Sequence, residues 1–308
     1  MNQAIGSAAG GVVSRESPGR MKIQMKMVRS LIKSAWASGF TVVKCNGDSC
    51  GRWLTLRHIS GRRIGIAMRD CWYCSSRCFK AAAEAQFSQL LIAGPVQVNH
   101  VSRMSLGLML VSRGLLSTEQ LKKATEEQKK KGGELGEILV RRGLVGEKQL
   151  TAVRAAQWGC PVFSTQKRGL PTSIQIPKTL IEHYSMLPLH YVAATNRLLV
   201  GFVHSIHYEL LYVMEQMTGC KTEACFVTPS DFKMQMEKRK HTEGMAELSA
   251  PNELKYDTTQ TPAEMAHILG SYGFDIEVEE AVIGKCKDYL WARLKSGSRS
   301  IDFLFHEG

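Results

Sequence analysis

Apolar positions do not keep one period along this chain, and each change of period marks a different kind of element. Met27, Leu31, Ile32 and Trp36 recur at three-to-five spacing, which predicts a helix across 21–40. An alanine-rich run predicts a second helix at about 79–93, stopped by Gly94-Pro95. Helical spacing returns over 104–158. From 160 to 240 helices and strands alternate: Pro177 opens a helix at about 177–184, and strands at 186–194 and 198–204 flank the turn Thr195-Asn196-Arg197. A helix at about 206–218 ends at Gly219, a third strand spans 222–227, and Pro229-Ser230-Asp231 starts a helix to about 240. Residues 241–260 are polar and read as a linker. The tail opens on Thr261-Pro262, a cap followed by a first-turn proline, with a helix to Leu269 and strands around 277–283, 288–294 and 300–305.

The 104–158 stretch is one unit written twice. Residues 105–128 and 134–157, offset by 29, match at 10 of 24 positions: Leu106/Leu135, Gly107/Gly136, Leu110/Leu139, Val111/Val140, Arg113/Arg142, Gly114/Gly143, Leu115/Leu144, Gln120/Gln149, Leu121/Leu150 and Gln128/Gln157. Average residue usage gives about one or two matches by chance, so this is a repeated supersecondary unit. Gly114 and Gly143 are natural left-handed helix ends. Ser117 with Gln120 forms a capping box, whereas the second copy keeps Gln149 but has Gly146 at the cap. Each unit therefore reads as a short helix, a tight turn and a longer helix, and two units give a four-helix tandem-repeat subdomain.

The net charge of +12 is uneven. Residues 1–100 hold 14 Lys/Arg and 4 Asp/Glu, or +10, against 26 and 24, or +2, in the rest. That basic N-terminal third could attract nucleic acid or a membrane surface; the plainer reading is a solvated basic face. No run approaches the ~18 apolar residues of a membrane span, and no signal-peptide core is present, so a cytoplasmic protein without an integral membrane segment is expected. Residues 1–20, rich in Gly, Ser and Ala, read as disordered, or as an upstream start with Met21, Met25 or Met27 as the true one.

Five of nine cysteines cluster. Cys45 and Cys50 lie about 20 residues before Cys71, Cys74 and Cys78, the layout of two chelating loops around a structural Zn2+ rather than of a disulfide framework. Five thiols compete for four places. Cys45, Cys50, Cys74 and Cys78 are the expected ligands, because Cys74 and Cys78 lead into a helix as in the second knuckle of treble-clef modules. Cys71 is then spare, and His58 a distant candidate. A short basic segment without a large core gains most from such a staple. Other constellations carry less. His204 and His207 lack a well-placed third ligand, Glu209 being poorly positioned, and read as a plain helix start. Met214 and Met217 fit a core face, Lys129-Lys130-Lys131-Gly132-Gly133 is a basic hinge, and Cys160, Cys220, Cys225 and Cys286 are isolated, buried thiols. No catalytic constellation stands out and no Gly-x4-Gly-Lys-Ser/Thr occurs, so no enzyme is expected.

The repeat resembles the tandem motif of the N-terminal (MshEN-type) domain of GspE/MshE-like type II secretion and pilus ATPases. The motif reads Leu106-Gly107, Leu110, Gly114-Leu115, Leu121 and Gln128, then Leu135-Gly136, Leu139, Gly143-Leu144, Leu150 and Gln157, with the same five-residue spacer. Trp158-Gly159-Cys160-Pro161, Pro177, Leu187-Pro188-Leu189 and Thr218-Gly219 extend the resemblance over about 104–240. It implies a cyclic di-GMP ligand, two-fold like the repeat, with phosphates at helix starts and aliphatic residues over guanine faces. The family's first motif begins with a ligand-contacting arginine. Here Ser105 stands there, Arg103 lies two residues earlier, and losing one charge-assisted contact costs about 1.5–3 kcal/mol.

The expected fold is thus α+β and multidomain: a helix plus a zinc-ribbon-like module built on four cysteines (21–95), the repeat (104–158), a small α/β three-stranded subdomain (159–240), the linker, and a C-terminal α+β module (261–308). The leading expectation is a non-enzymatic regulator or adaptor of a secretion or pilus machine, with possible cyclic di-GMP binding through the repeat. A ligand-free interaction scaffold of the same fold and a zinc-ribbon nucleic-acid binder are the alternatives.

Overall fold

The computed structural model describes residues 43–54, 65–93, 103–165, 174–244, 253–257, 259–275, 278–297 and 299–307. The helix expected at 21–40, the 1–20 segment, Gly94-Pro95 and His58 lie outside the described residues. In chain order the elements are β1 (Val43–Lys44), β2 (Trp53–Leu54), β3 (Ile66–Met68), β4 (Cys71–Tyr73) and α1 (Ser76–Ile92). The repeat gives α2 (Leu106–Ser112), α3 (Thr118–Lys131), α4 (Leu135–Arg141) and α5 (Glu147–Trp158). Then come α6 (Lys178–His183), β5 (Met186–Val192), β6 (Arg197–Phe202), α7 (Tyr208–Thr218), β7 (Lys221–Phe226) and α8 (Pro229–Gly244). The chain closes with β8 (Glu253–Tyr256), α9 (Pro262–Asp275), β9 (Glu280–Cys286), β10 (Tyr289–Ser296) and β11 (Arg299–His306).

The four repeat helices enclose their own core. Leu110 and Leu139, Leu116 and Val145, and Ala124 and Val153 are buried in matching pairs 29 residues apart. Behind it lies a sheet of order β5-β6-β7, antiparallel at its first pair and parallel at its second. Asn196 (φ 51°) makes the β5–β6 turn, a left-handed conformation that asparagine tolerates.

A six-stranded sheet of order β4-β3-β9-β10-β11-β8 crosses the boundaries expected from the sequence. The cysteine segment and the tail share it, because β3 runs parallel to β9 with Ala67 opposite Glu280 and Met68 opposite Ala281. The 241–260 stretch, expected as a linker, supplies β8, parallel to β11. Pairing across such sequence separations leaves no local periodicity to read. The 106–244 segment is thereby inserted between two parts of one sheet. The tail helix also runs past Leu269 to Asp275. Its Gly273 is not a stop: a Cβ there would come 2.8 Å from Ile66 Cδ1, so the glycine lets α9 approach β3.

One face of this sheet is covered by α1 and α9, with Phe79, Phe87, Met265 and Leu269 packed on Ile66, Ile283, Phe303 and Phe305. The other face carries Tyr289, Trp291 and Leu304 into the core of the three-stranded unit, against Leu210, Met214 and Met217 of α7. A strand buried on both sides reads as an unbroken apolar run, as Tyr289–Ala292 does. Polar ties help to close the seam, two of them at helix ends. The Glu253 carboxylate accepts from the Lys178 and Thr179 backbone N–H groups at 2.6 and 3.2 Å, capping α6. Arg293 donates to the Met217 carbonyl at 3.1 Å, at the last turn of α7, where a cation meets the negative helix end.

Candidate ligand face and cysteine centre

The two copies of the repeat share several hydrogen bonds one for one. Gly114 (φ 67°) and Gly143 (φ 66°) turn the chain after α2 and α4, and the next N–H groups, Leu115 and Leu144, each donate to a carbonyl five residues back at 3.0 Å. Gly107 and Gly136 permit the longer helix of each copy to lie close. A Cβ at Gly107 would stand 2.6 Å from Leu121 Cδ1, and one at Gly136 would stand 3.0 Å from Leu150 Cδ2 and closer still to Arg154 Nη2. The closing glutamines act reciprocally. Gln128 Nε2 donates to the Gly133 carbonyl at 3.0 Å, just before α4, and Gln157 Nε2 donates to the Met104 carbonyl at 2.7 Å, just before α2. Met104 and Gly133 are equivalent positions, so each copy fastens the lead-in of the other.

These bonds show where the expected ligand residues stand. Leu110, Leu139 and Leu150 are core; Leu106, Leu115, Leu121, Leu135 and Leu144 pack against it half-buried. The surface left at the start of copy one is made by Met104, Ser105 and Leu108, all exposed. Ser105 caps α2, its Oγ accepting from Leu108 N–H at 3.4 Å. Beside it the guanidinium of Arg103 lies 3.9 Å over the Trp158 ring and donates to the Tyr208 hydroxyl at 3.4 Å. The Trp158 and Tyr208 rings are 6.0 Å apart. Reading the sequence passed over this cluster. Its signal was an arginine just ahead of the first copy and a tryptophan just behind the second, adjacent only after folding.

Copy two presents a different surface. Glu134 occupies the position of Ser105 and offers no cap. Its carboxylate accepts from Arg154 Nη2 at 2.5 Å and pairs with His204 Nδ1 at 2.7 Å. Burial pushes the Glu134 carboxyl up, but the His204 and Arg154 contacts outweigh it and hold it below the usual carboxylate range. Arg154, 2% exposed, also donates to the Val203 carbonyl at 2.9 Å. Glu147 accepts from Ser230 N–H and Oγ at 2.6 and 2.7 Å. Copy two is therefore docked on the three-stranded unit, and His204, expected as a plain helix start, is one of the docking groups. Arg141 and Arg142 are both held by Glu127 of copy one.

At the cysteine segment the Sγ atoms of Cys45, Cys50, Cys74 and Cys78 all lie within 4.8 Å of one another, with Cys50 and Cys74 at 3.6 Å. Four sulfurs at ~2.3 Å from a tetrahedral Zn2+ stand roughly 3.8 Å apart. Cys45 Sγ accepts N–H bonds from Gly47 at 3.4 Å and Cys74 at 3.3 Å. Burial pushes the Cys74 thiol up to about 12, with the neighbouring thiols Cys50 and Cys45 adding to it, whereas a backbone hydrogen bond at Arg52 and the contact with Cys74 bring Cys50 down to about 7. Ser75 caps α1, accepting from Cys78 N–H at 3.4 Å, and so begins the helix three residues before the expected start. Cys71 lies in β4, outside the group. Cys220, Cys225 and Cys286 are buried as expected, whereas Cys160 is half-buried.

No family model matches the chain. Among curated proteins it is 26% identical over 175 residues to the type IV pilus assembly ATPase PilB of Myxococcus xanthus, an alignment covering 56% of this chain and 27% of that protein. This chain is similar in part to the type IV pilus assembly ATPases. The PilB of Thermus thermophilus is 26% identical over 129 residues, 41% of this chain and 14% of that protein. The chain thus spans about a quarter or less of the curated relatives it matches. Solved structures with local likeness are MshE with cdg (22% identity, 44% of this chain and 99% of that one, TM-score 0.38) and the XpsE N-terminal domain (18%, 45% and 98%, TM-score 0.37). Among the described residues no helix is long and apolar enough to cross a membrane.

Proposed function

We propose that this chain is a non-enzymatic regulator or adaptor of a secretion or pilus system, and that it binds cyclic di-GMP at the tandem repeat. The observation that carries the reading is the reciprocal fastening of the two copies through Gln128 and Gln157, which gives the repeat an approximate two-fold arrangement matching a two-fold ligand. The similarity to pilus ATPases supports the cellular setting. Arg103, braced by Trp158 and Tyr208 beside Ser105, offers the cation that Ser105 does not. The aliphatic residues at the openings, Leu108 above all, offer cover for a base.

Calorimetry with cyclic di-GMP tests this, using wild type, Arg103→Ala and Ser105→Arg. Binding by wild type, weakened roughly ten- to a hundred-fold in Arg103→Ala, is expected. Ser105→Arg gives up a helix cap worth about 1 kcal/mol yet should bind tighter. No heat from any of the three at about 100 μM protein, a concentration at which a micromolar complex saturates, refutes the reading. A ligand-free interaction scaffold then takes its place, which the engagement of Glu134 with Arg154 and His204 favours.

The cysteine group is proposed as a structural Zn2+ centre held by Cys45, Cys50, Cys74 and Cys78, with no open coordination position. Zinc analysis of purified protein should give one equivalent, lost in Cys50→Ser and kept in Cys71→Ser. Equal zinc content in these two variants overturns the ligand assignment.

A further inference from the structure

A cavity of about 300 Å3 opens where the end of α7 meets the β10–β11 hairpin. Its lining includes Arg293, Lys295 and Arg299, and among the described residues no carboxylate. Gln175, Thr218 and Ser300 add neutral polar groups. Strand geometry explains the convergence. Arg293 and Lys295 alternate onto one face of β10, and Ser300 stands directly opposite Lys295 on β11.

The cations are held to different degrees. Arg293 is 4% exposed and fixed, with Asp302 taking Nε and Nη2 at 2.8 Å, and the Met217 and Gln175 carbonyls taking further N–H groups. Of its five donors, one on Nη1 has no partner among the described residues. Lys295 stands 3.6 Å from Glu280, a loose pair. Arg299 is exposed and shows no ion pair among the described residues. Ser300 Oγ is hydrogen-bonded to Gln175 Oε1 at 2.7 Å. Asp302 neutralises Arg293 and Glu280 offsets Lys295 in part, so the opening keeps a net positive charge, most of it from Arg299.

We propose that this cavity is a binding site for a small phosphorylated anion. Its volume stands at the low end for small-molecule sites, large enough for a phosphoryl group with a short organic remainder. Guanidinium and ammonium donors arriving from two neighbouring strands suit the several oxygens of a tetrahedral oxyanion better than a planar carboxylate, which one fork-shaped arginine satisfies. A ligand seated there would touch both strands of the hairpin and lie beside the end of α7, whose Met217 carbonyl Arg293 already occupies. It would brace the seam between the inserted segment and the six-stranded sheet. The site shares no residue with the repeat, so it stands or falls independently of cyclic di-GMP binding.

The test uses the full chain, with pyrophosphate as probe and citrate as the carboxylate comparator, by calorimetry and thermal shift. A basic protein attracts anions generally, so a charge-matched control is needed. Lys122→Ala/Lys123→Ala removes two exposed cations of α3. Pyrophosphate should bind wild type and this control alike, and bind roughly ten- to a hundred-fold more weakly to Lys295→Ala/Arg299→Ala. Arg299→Ala alone, at an exposed position, should show part of that loss with an unchanged circular dichroism spectrum. Equal binding by the pocket and control variants, no binding by wild type, or citrate binding as tightly as pyrophosphate would each overturn the assignment.

Discussion

In copy one of the repeat, Ser105 caps α2 and faces solvent; in copy two, the equivalent Glu134 is locked between Arg154 and His204. Twenty-nine residues separate these positions, and the backbone around them is the same. What differs is what each copy leans on. Copy two lies against the three-stranded unit and spends its polar side chains on docking. Just ahead of copy one, Arg103 reaches Tyr208 of that unit, while Met104 and Leu108 stay in the open, each 57% exposed. A duplicated unit thus divides its labour: one copy anchors the pair and the other supplies the free face.

The sharpest way to break this division is to remove the anchor. Arg154→Ala leaves the Glu134 carboxylate without its guanidinium and the buried Val203 carbonyl without a donor. Such losses cost about 2–4 kcal/mol. The matching change in copy one, Thr125→Ala, removes a hydroxyl bonded within its own helix, at 2.9 Å to the Leu121 carbonyl, and should cost under about 1 kcal/mol. Urea unfolding of the two variants measures the difference. Equal costs would mean that copy two is no more anchored than copy one.

Next in size is the pair of close glycines. A methyl at Gly136 meets buried Arg154 as well as Leu150, whereas one at Gly107 meets only the ends of Leu121. Overpacking of this kind costs about 1–3 kcal/mol. Gly136→Ala should fall near the top of that range and Gly107→Ala near the bottom, since half-buried Leu121 has room to turn. Thermal unfolding midpoints of both variants give the order.

Much of this was legible in the sequence. The ten identities at one offset, the two cap glycines and the Ser117/Gln120 box are local signals, and local signals survive without a fold. The α/β alternation over 177–240 was equally plain, because Gly219 and Pro229 punctuate it. The strands expected at 186–194, 198–204 and 222–227 stand at Met186–Val192, Arg197–Phe202 and Lys221–Phe226. The cysteine spacing picked out the four thiols that the fold brings together, since two short loops are enough to converge them. What escaped was every relation between distant segments. Nothing near Ile66 or Ala281 announces that β3 will lie beside β9. His204 looked idle because its partners, Glu134 and Glu137, lie about 70 residues away. Arg103 looked displaced because its supports, Trp158 and Tyr208, arrive from two other elements.

Acidification should separate the copies more gently. Glu134 titrates below its ordinary value of 4.5 in the folded chain. A carboxylate with a depressed folded pKa contributes stability that is complete above the unfolded value and disappears as pH falls through the folded one. Copy two should therefore loosen from the three-stranded unit at pH below about 4.5. Hydrogen exchange followed at the Val203–His204 backbone reads this directly. In Glu134→Gln this acid-dependent component should vanish, and an unchanged profile would assign the effect to other carboxylates.

The smallest expected difference lies in the caps of the longer helices. Ser117 and Gln120 exchange both bonds, Ser117 N–H donating to Gln120 Oε1 at 2.8 Å and Gln120 N–H to Ser117 Oγ at 3.1 Å. Gly146 has no side chain, so copy two keeps only the return bond, from Gly146 N–H to Gln149 Oε1 at 3.1 Å. Serine and glycine differ as caps by only a few tenths of a kcal/mol. Ser117→Gly should lose about that much, and Gly146→Ser should gain it, since Gly146 already has an extended backbone (φ −72°, ψ 146°) that serine adopts without strain. The gain has a condition, however. A Cβ at Gly146 would sit 3.2 Å from Gln149 Oε1, so the glutamine must yield slightly to admit the new hydroxyl. If Gly146→Ser destabilises, the return bond of Gln149 outweighs the cap it would complete, and the two copies differ at this position because copy two already makes the better of the two bonds.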